Sequence, residues 1–195
     1  MTVGRPRNRQ SSLTVGTHAT LDAMSDIDAV NLALFVFRVA VGAVFLAHGY
    51  NHIWGGGKIA GTADWFGSMG MRQPMMQAWA ASATELAAGT ALILGLLTPL
   101  GGAGVVGTMF VAWVIAHRAN GFFIFRPGQG WEYVMVLLIC GVVLGTLGPG
   151  EWSLDHAFDL TDDLVGTTGL LLSAGLGLLG GAALLAAFWR PPAKQ

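Results

Sequence analysis

Five apolar runs, each close to the length needed to cross a bilayer, constrain the fold of this chain most strongly. They span residues 31–50, 76–97, 102–118, 131–148 and 166–188. A transmembrane helix needs about 20 mostly apolar residues, and the first run is too long for the apolar core of a signal peptide. The runs therefore predict a multi-pass protein of the cell membrane.

The composition agrees with a surface that faces lipid. Hydrophobic residues make up 53% of the chain and charged residues 11%, whereas soluble domains carry about 25% charged residues. The net charge is -1 without a lysine- or arginine-rich block, which excludes the electrostatic pattern of nucleic-acid binding. The single cysteine, Cys140, excludes an internal disulfide and is interpreted as a packing residue.

The runs are predicted to be helices. Barrel strands would alternate apolar and polar residues, but segments 92–97 and 134–139 are apolar at every position. Residues 98–102, Thr-Pro-Leu-Gly-Gly, divide the second run from the third and predict a tight turn between antiparallel helices. The fold class is thus an all-α polytopic membrane helix bundle with five spans.

Three regions follow from this assignment. Residues 1–29 are polar and lack a sustained period, so we expect a flexible amino-terminal tail. Residues 30–156 form the membrane domain, and residues 157–195 hold an acidic connector, the last span and a short tail. Glycines recur at helical spacing in two runs, which indicates either close helix contacts or simple glycine abundance. They are Gly141, Gly145, Gly177 and Gly181.

Two aromatic connections, residues 52–75 and 118–130, are expected on one side of the membrane, which we call side B. Their rings favour the headgroup region, and the longer connection is expected to contain a short interfacial helix. The opposite side, side A, holds the amino-terminal tail, the proline turn and the acidic stretch 151–163. Basic residues near the span ends collect on side B, which favours a cytoplasmic side B.

Ionisable residues within the spans are the candidate functional residues, because a charge facing lipid costs about 2.5 to 3.5 kcal/mol. A rise of about 1.5 Å per residue puts Arg38 and Glu85 at similar depth. We therefore expect a buried ion pair between them. This pair would either fix the helix packing or handle protons or a ligand.

A second group lies within about one turn of side B, and consists of His48, His117 and Glu132, with Asn120 nearby. A histidine beside a carboxylate can exchange protons near neutral pH, and two histidines with a glutamate could bind a metal. We predict no metal, and the weak candidate ligands are His48, His52 and His117. Taken singly, these residues could equally be polar helix ends.

Several short motifs, taken in their order and spacing, resemble the DoxX family over roughly residues 34–156. They are His48-Gly49, Gly61-Thr62, Trp65-Phe66, Gly70, Glu85 with Gly89, His117, Asn120-Gly121-Phe122-Phe123, Glu132-Tyr133 and residues 148–155, Gly-Pro-Gly-Glu-Trp-Ser-Leu-Asp. The resemblance implies a core of four membrane helices, here extended by one carboxyl-terminal helix. The family commonly has a lysine where His52 stands, so an anion-binding role for that position is in doubt.

The resemblance also implies a link to redox metabolism and oxidative stress. Family members are described as partners of oxidoreductases that use quinone, and as membrane partners of a superoxide dismutase and a sulfurtransferase. We therefore expect a membrane subunit of a redox assembly whose polar cluster binds a quinone or small oxidant and exchanges protons. It need not be catalytic itself, because its sequence holds no iron–sulfur cysteine set and no nucleotide-binding glycine motif.

Two alternatives remain open at this point. Buried ionisable residues would also suit a small proton-coupled transporter or channel, although no internal repeat supports this and a homo-oligomer would be needed. The helices could instead form a scaffold for soluble redox partners. A haem is disfavoured, although His48 and His117 could face each other from different helices as its ligands.

Overall fold

The computed structural model describes residues 13–191, and the side chains of residues 26–191. This part of the chain is almost entirely helical, with one isolated antiparallel bridge between Met71 and Trp189. The helices are α1 Leu13–Trp54, α2 Lys58–Ser68, α3 Pro74–Leu94, α4 Thr98–Ala112, α5 Glu132–Leu147, α6 Leu154–Ala157, α7 Thr161–Leu164, α8 Gly166–Leu170 and α9 Gly177–Phe188. Helix α4 continues as a π-helical turn, Trp113–His117, and a second π-helical segment, Leu171–Leu176, joins α8 to α9.

The five predicted apolar runs all form helices. Three of these in the described chain are long and apolar enough to cross a membrane, namely Asp26–Trp54, Thr98–His117 and Gly166–Phe188. Helix α5 is apolar but has 16 residues. Helix α3 has 21 residues, and its polar residues Gln77, Ser82 and Glu85 are buried. The prediction of a polytopic helical membrane bundle is confirmed.

Helix α1 begins earlier than the sequence suggested. It starts at Leu13, inside the stretch 1–29 that was expected to be a flexible tail, while residues 1–12 lie outside the described chain. Adding a residue to an existing helix is much easier than nucleating one, so the stable span extends its helix into the polar segment before it.

The turn between α3 and α4 also differs from the prediction. The turn occupies residues 95–97, where Gly95 and Leu97 have positive φ angles of 63° and 49°. Helix α4 already begins at Thr98, with Pro99 in its first turn. Proline fits the first turn of a helix because its missing N–H has no intrahelical partner there. The proline therefore starts the helix instead of forming the turn.

Helices α1 and α3 cross closely at two glycines. A Cβ atom added to Gly42 would lie 2.7 Å from the carbonyl oxygen of Gly89, and one added to Gly89 would lie 2.7 Å from that of Gly42. A Cβ added to Gly49 would lie 3.1 Å from the carbonyl oxygen of Ser82, so a later position on α1 meets an earlier position on α3. The two helices are therefore antiparallel, and their backbones touch.

The glycines predicted to mediate contacts lie at further crossings. A Cβ on Gly141 of α5 would meet the carbonyl oxygen of Gly102 of α4 at 3.0 Å. A Cβ on Gly177 of α9 would lie 2.8 Å from the carbonyl oxygen of Ala103. Close contact explains these positions better than abundance does. The main core joins α1, α3, α4 and α5, and its buried residues are Val41, Phe45, Ala88, Leu92, Val105, Leu137 and Leu144.

The end of α9 reaches the side-B connection between α2 and α3. The indole Nε1 of Trp189 donates to the carbonyl oxygen of Met69 at 3.0 Å, and the amide of Arg72 donates to that of Phe188 at 2.7 Å. The Arg118 guanidinium lies 5.2 Å from the Trp189 ring centre. The fifth helix thus ends beside the two aromatic connections.

We predict that Gly89→Ala lowers the free energy of unfolding by about 1 to 3 kcal/mol, because the added methyl overpacks the α1–α3 crossing. Gly175→Ala is the matched control, since a Cβ there meets nothing within 4 Å. Unfolding in mixed detergent micelles measures both variants. Equal stability of the two would contradict the close crossing.

Candidate functional site

Arg38 caps the carboxyl-terminal end of α3, on side A. It is fully buried, and its Nη1 donates to the carbonyl oxygens of Leu92 at 2.9 Å and Ile93 at 3.3 Å. Its Nη2 donates to the carbonyl oxygen of Trp152 at 2.6 Å. The last carbonyls of a helix lack intrahelical partners and carry partial negative charge. The guanidinium supplies both the donors and the positive charge that these carbonyls need.

The neighbouring Asp155 caps the amino-terminal end of α4 with a negative charge. This fully buried carboxylate accepts from the amide of Leu97 at 2.6 Å, and from the amide and hydroxyl of Thr98 at 2.9 and 2.8 Å. A carboxylate suits a helix amino terminus because the free N–H groups point at it. Sequence reasoning missed this residue, although the polar motif at 148–155 pointed to the segment that contains it.

The predicted ion pair between Arg38 and Glu85 is wrong. The Gly42–Gly89 contact places Arg38 level with Ile93, eight residues or about 12 Å from Glu85 along α3. Helical side chains also lean towards the amino terminus of their own helix. Because α1 and α3 are antiparallel, Arg38 leans towards side A and Glu85 towards side B, so the two side chains diverge.

Glu85 is paired with His52 instead. The His52 Nδ1 and Glu85 Oε2 atoms are 3.0 Å apart, and the two side chains are 16% and 5% exposed. The distance is that of an ion pair, but the direction does not satisfy a hydrogen bond, and both atoms are buried without another partner. We therefore treat the contact as electrostatic. The position where the family resemblance suggested a lysine thus holds a titratable partner for a buried carboxylate.

This pair lines a cavity of about 490 Å³. Small-molecule sites typically have volumes of about 300 to 1,000 Å³, with apolar walls and a few polar groups. The walls come from α3, α4 and α9, with His48 and His52 of α1 and Tyr133 of α5. The π-helical turn that ends at His117 contributes to the wall, and such turns frequently occur at functional sites.

Gln77 adds a polar group that sequence reasoning did not single out. It lines the cavity, is 3% exposed, and its side-chain nitrogen is buried without a hydrogen-bond partner. A buried polar group without a partner costs about 1 to 3 kcal/mol. Gln77 thus adds an unpartnered donor to the wall that holds the His52–Glu85 pair. A glutamine inside an apolar run was the available sequence signal.

The structure brings together three of the six predicted site residues. His48, Glu85 and His117 line the cavity, whereas Arg38 lies at the opposite end of the bundle. The Nδ1 of His117 lies 2.9 Å from the carbonyl oxygen of Gln129.

The other two predicted residues organise the loop before α5. The Glu132 carboxylate accepts from the amide of Ile124 at 3.1 Å, and the Asn120 amide donates to the carbonyl oxygen of Ala116 at 2.9 Å. Within residues 26–191, no group of three or more His, Cys, Asp or Glu side chains could hold a metal ion. The weak metal candidates His48, His52 and His117 share the cavity without forming a ligand set.

A second cavity of about 370 Å³ adjoins the first near the start of α2. Asn51, Lys58 and Thr62 line it, together with the glycines 55–57. His48, His52 and Trp65 line both cavities. These three side chains therefore separate the larger, mostly apolar cavity from a smaller and more polar one at side B.

The fold and the spans define the class of protein: a polytopic helical membrane protein with a cavity inside its bundle. The family model described as DoxX matches residues 33–118, from the first span to the end of the π-helical turn. The predicted resemblance to the DoxX family is confirmed over these residues. The motifs at 120–155 and the helices α5 to α9 lie beyond the matched residues. No curated protein and no solved structure matches the chain significantly.

A double-mutant cycle in unfolding free energy tests the corrected pairing. We expect Arg38→Gln and Glu85→Gln to be additive within about 0.5 kcal/mol, because the two residues share no contact. The cycle of His52→Gln with Glu85→Gln should instead show coupling above about 0.5 kcal/mol. Coupling in the first cycle and additivity in the second would restore the pairing that the structure contradicts.

Proposed function

We propose that this protein is the membrane subunit of a redox assembly, and that its large cavity binds a quinone or another small oxidant. The observation that carries the proposal is the unpartnered side-chain nitrogen of Gln77 beside the His52–Glu85 pair, within one mostly apolar cavity. A quinone headgroup has a flat apolar ring and two carbonyl acceptors, and it takes up two electrons and two protons on reduction.

Gln77 and the apolar walls would bind and orient the headgroup. The side-chain nitrogen of Gln77 is a donor without a partner, so a carbonyl oxygen placed there would satisfy it. Phe66, Met71 and Ile115 belong to the apolar lining and would exclude water from the ring. Excluding water strengthens each polar contact inside the cavity. The residues present therefore fit an uncharged ring with hydrogen-bond acceptors.

The His52–Glu85 pair would hold and pass on a proton. A histidine is the side chain whose ordinary titration lies closest to neutral pH, and Glu85 lies 3.0 Å from its Nδ1. His52 also lines the smaller polar cavity at side B. Protons would therefore travel from water at side B through that cavity to His52 and into the larger cavity.

Electrons would come from an oxidoreductase partner. The chain has a single cysteine, so it cannot form an internal dithiol. The family resemblance suggests a superoxide dismutase or a sulfurtransferase as further partners. The exposed aromatic loop that holds Phe122, Phe123 and Phe125 lies beside the cavity residues Ile124 and Gln129, and we propose it as the contact surface.

Gln77→Leu should weaken quinone binding while leaving the fold intact. Losing one hydrogen bond of about 0.5 to 1.5 kcal/mol lowers affinity about two- to tenfold. The free energy of unfolding should stay equal or rise, because an unpartnered buried amide is removed. Titration of the protein in nanodiscs measures the first quantity and unfolding in micelles the second.

Ser82→Ala is the matched control for Gln77→Leu. Ser82 is buried on the same helix, but its hydroxyl donates to the carbonyl oxygen of Ala78 at 2.8 Å. This variant should keep wild-type affinity. Unchanged affinity in Gln77→Leu would remove Gln77 from the binding site.

Affinity purification from native membranes, with mass spectrometry of proteins and lipids, tests the assembly. We expect an oxidoreductase subunit and a quinone to co-purify with the wild-type chain, and less quinone with Gln77→Leu. Recovery of neither would contradict the proposal. Proton flux through the purified chain in liposomes, abolished by Glu85→Gln, would favour a transporter instead.

A further inference from the structure

The larger cavity continues from its polar end into a groove along α4. Its lining on α4 runs from Ala103 to His117, a length of about 20 Å. The floor in the outer part consists of small residues, including Gly104, Gly107 and Thr108. Helices α3 and α9 both pack against α4 and form the two walls. The cavity is therefore an elongated channel and not a compact sphere.

The groove reaches the lipid-facing surface of the bundle. Thr84 on the α3 wall and Gly180 on the α9 wall both line it and are exposed. A Cβ added to Gly180 would meet nothing within 4 Å. Both residues lie well inside their helices, Pro74–Leu94 and Gly166–Phe188. In a bundle that spans a bilayer, positions this far from the helix ends lie at the level of the hydrocarbon core, so we expect the opening to face lipid and not water.

The inner end of the same cavity is buried and polar. Glu85 and Gln77 are both buried; Glu85 lies against His52, and the side-chain nitrogen of Gln77 has no hydrogen-bond partner. The described lining contains Glu85 and three histidines but neither lysine nor arginine. A phosphate or carboxylate headgroup would therefore meet the Glu85 carboxylate without an arginine fork or an ammonium group to bind it. The inner end thus favours an uncharged headgroup.

We infer that the cavity takes an amphiphile with one hydrocarbon chain and an uncharged, hydrogen-bonding headgroup, which enters sideways from the bilayer between α3 and α9. The headgroup lies at Gln77 and Glu85, and the chain lies along the glycine-lined floor of α4. The groove has a volume of about 490 Å³ over its length, which suits one chain better than the two of a phospholipid. The inference deepens the proposed function by naming the class of its ligand.

Filling the groove tests this inference without touching the polar end. Gly180→Leu places a side chain in the groove, and Thr84→Leu does so from the opposite wall. Gly175→Leu is the matched control, because its Cβ would also meet nothing within 4 Å but the residue does not line the cavity. Thermal unfolding confirms that each variant folds, and Thr84→Leu replaces Gly180→Leu if the latter does not.

The probes are decyl-substituted benzoquinone, benzoquinone without a chain, 4-decylphenol and decyl phosphate. Each is mixed into nanodiscs that hold the protein, and native mass spectrometry gives the number of probe molecules bound per protein. We expect decyl-benzoquinone and 4-decylphenol to bind Gly180→Leu about tenfold more weakly than wild type or Gly175→Leu. This is the loss expected when roughly two methylene groups lose their contacts. Benzoquinone without a chain should bind all three proteins equally, and decyl phosphate should not bind.

Each outcome separates the inference from the proposed function. The inference is overturned if decyl-benzoquinone and 4-decylphenol bind wild type and Gly180→Leu equally. It is also overturned if neither of these two probes binds wild type, or if decyl phosphate binds strongly. If benzoquinone without a chain binds in such a case, the proposed function survives. If 4-decylphenol shows the loss but no quinone binds, the groove stands and the quinone proposal fails.

Discussion

The contact between Gly42 of α1 and Gly89 of α3 determines where the polar side chains of this bundle lie. Two backbones that touch have little freedom to slide past each other, so this crossing sets the register of the antiparallel pair. Because side chains lean towards the amino terminus of their own helix, Arg38 then reaches the carbonyls at the end of α3. His52, further along α1, meets Glu85 for the same reason.

The two ends of the bundle consequently differ in what surrounds their polar groups. At side A, Arg38 donates to the last carbonyls of α3, and Asp155 accepts from the first amides of α4. A second link joins Asn31 to Glu151 through two hydrogen bonds of 3.0 Å. At side B, the unpartnered Gln77 nitrogen and the His52–Glu85 pair adjoin an open volume. A membrane protein keeps such groups where a ligand or water can satisfy them, so side A stabilises the fold and side B is the candidate binding site.

The architecture follows from the sequence more completely than the site does. Run length and apolarity predicted the five helices, and aromatic residues predicted the interfacial segment in which α2 lies. Proline and glycine predicted the α3–α4 hairpin, although the turn lies at 95–97. Each of these signals is local, which explains their success. The start of α1 at Leu13 was missed because helix extension into a polar segment leaves no apolar period.

The position of the site depends on how each helix is rotated about its axis and on the direction in which its side chains lean. Counting residues along the chain gives only the depth of each residue. Counting residues placed Arg38 and Glu85 at one level, but it could not show that α1 and α3 direct these side chains to opposite ends. The same counting grouped His48 and His117, which do line one cavity, with Glu132, which bonds to a loop amide. Gln77 and Asp155 went unnoticed because their importance lies in burial, which only the packed structure reveals.

An experimental structure in nanodiscs of native lipid would show whether the cavity beside the His52–Glu85 pair holds a ligand. We expect density for a non-protein molecule within hydrogen-bonding distance of the Gln77 amide, extending along α4 towards the opening between α3 and α9. A bundle in which another side chain satisfies the Gln77 amide, with no volume between α3, α4 and α9, would contradict the proposed ligand site.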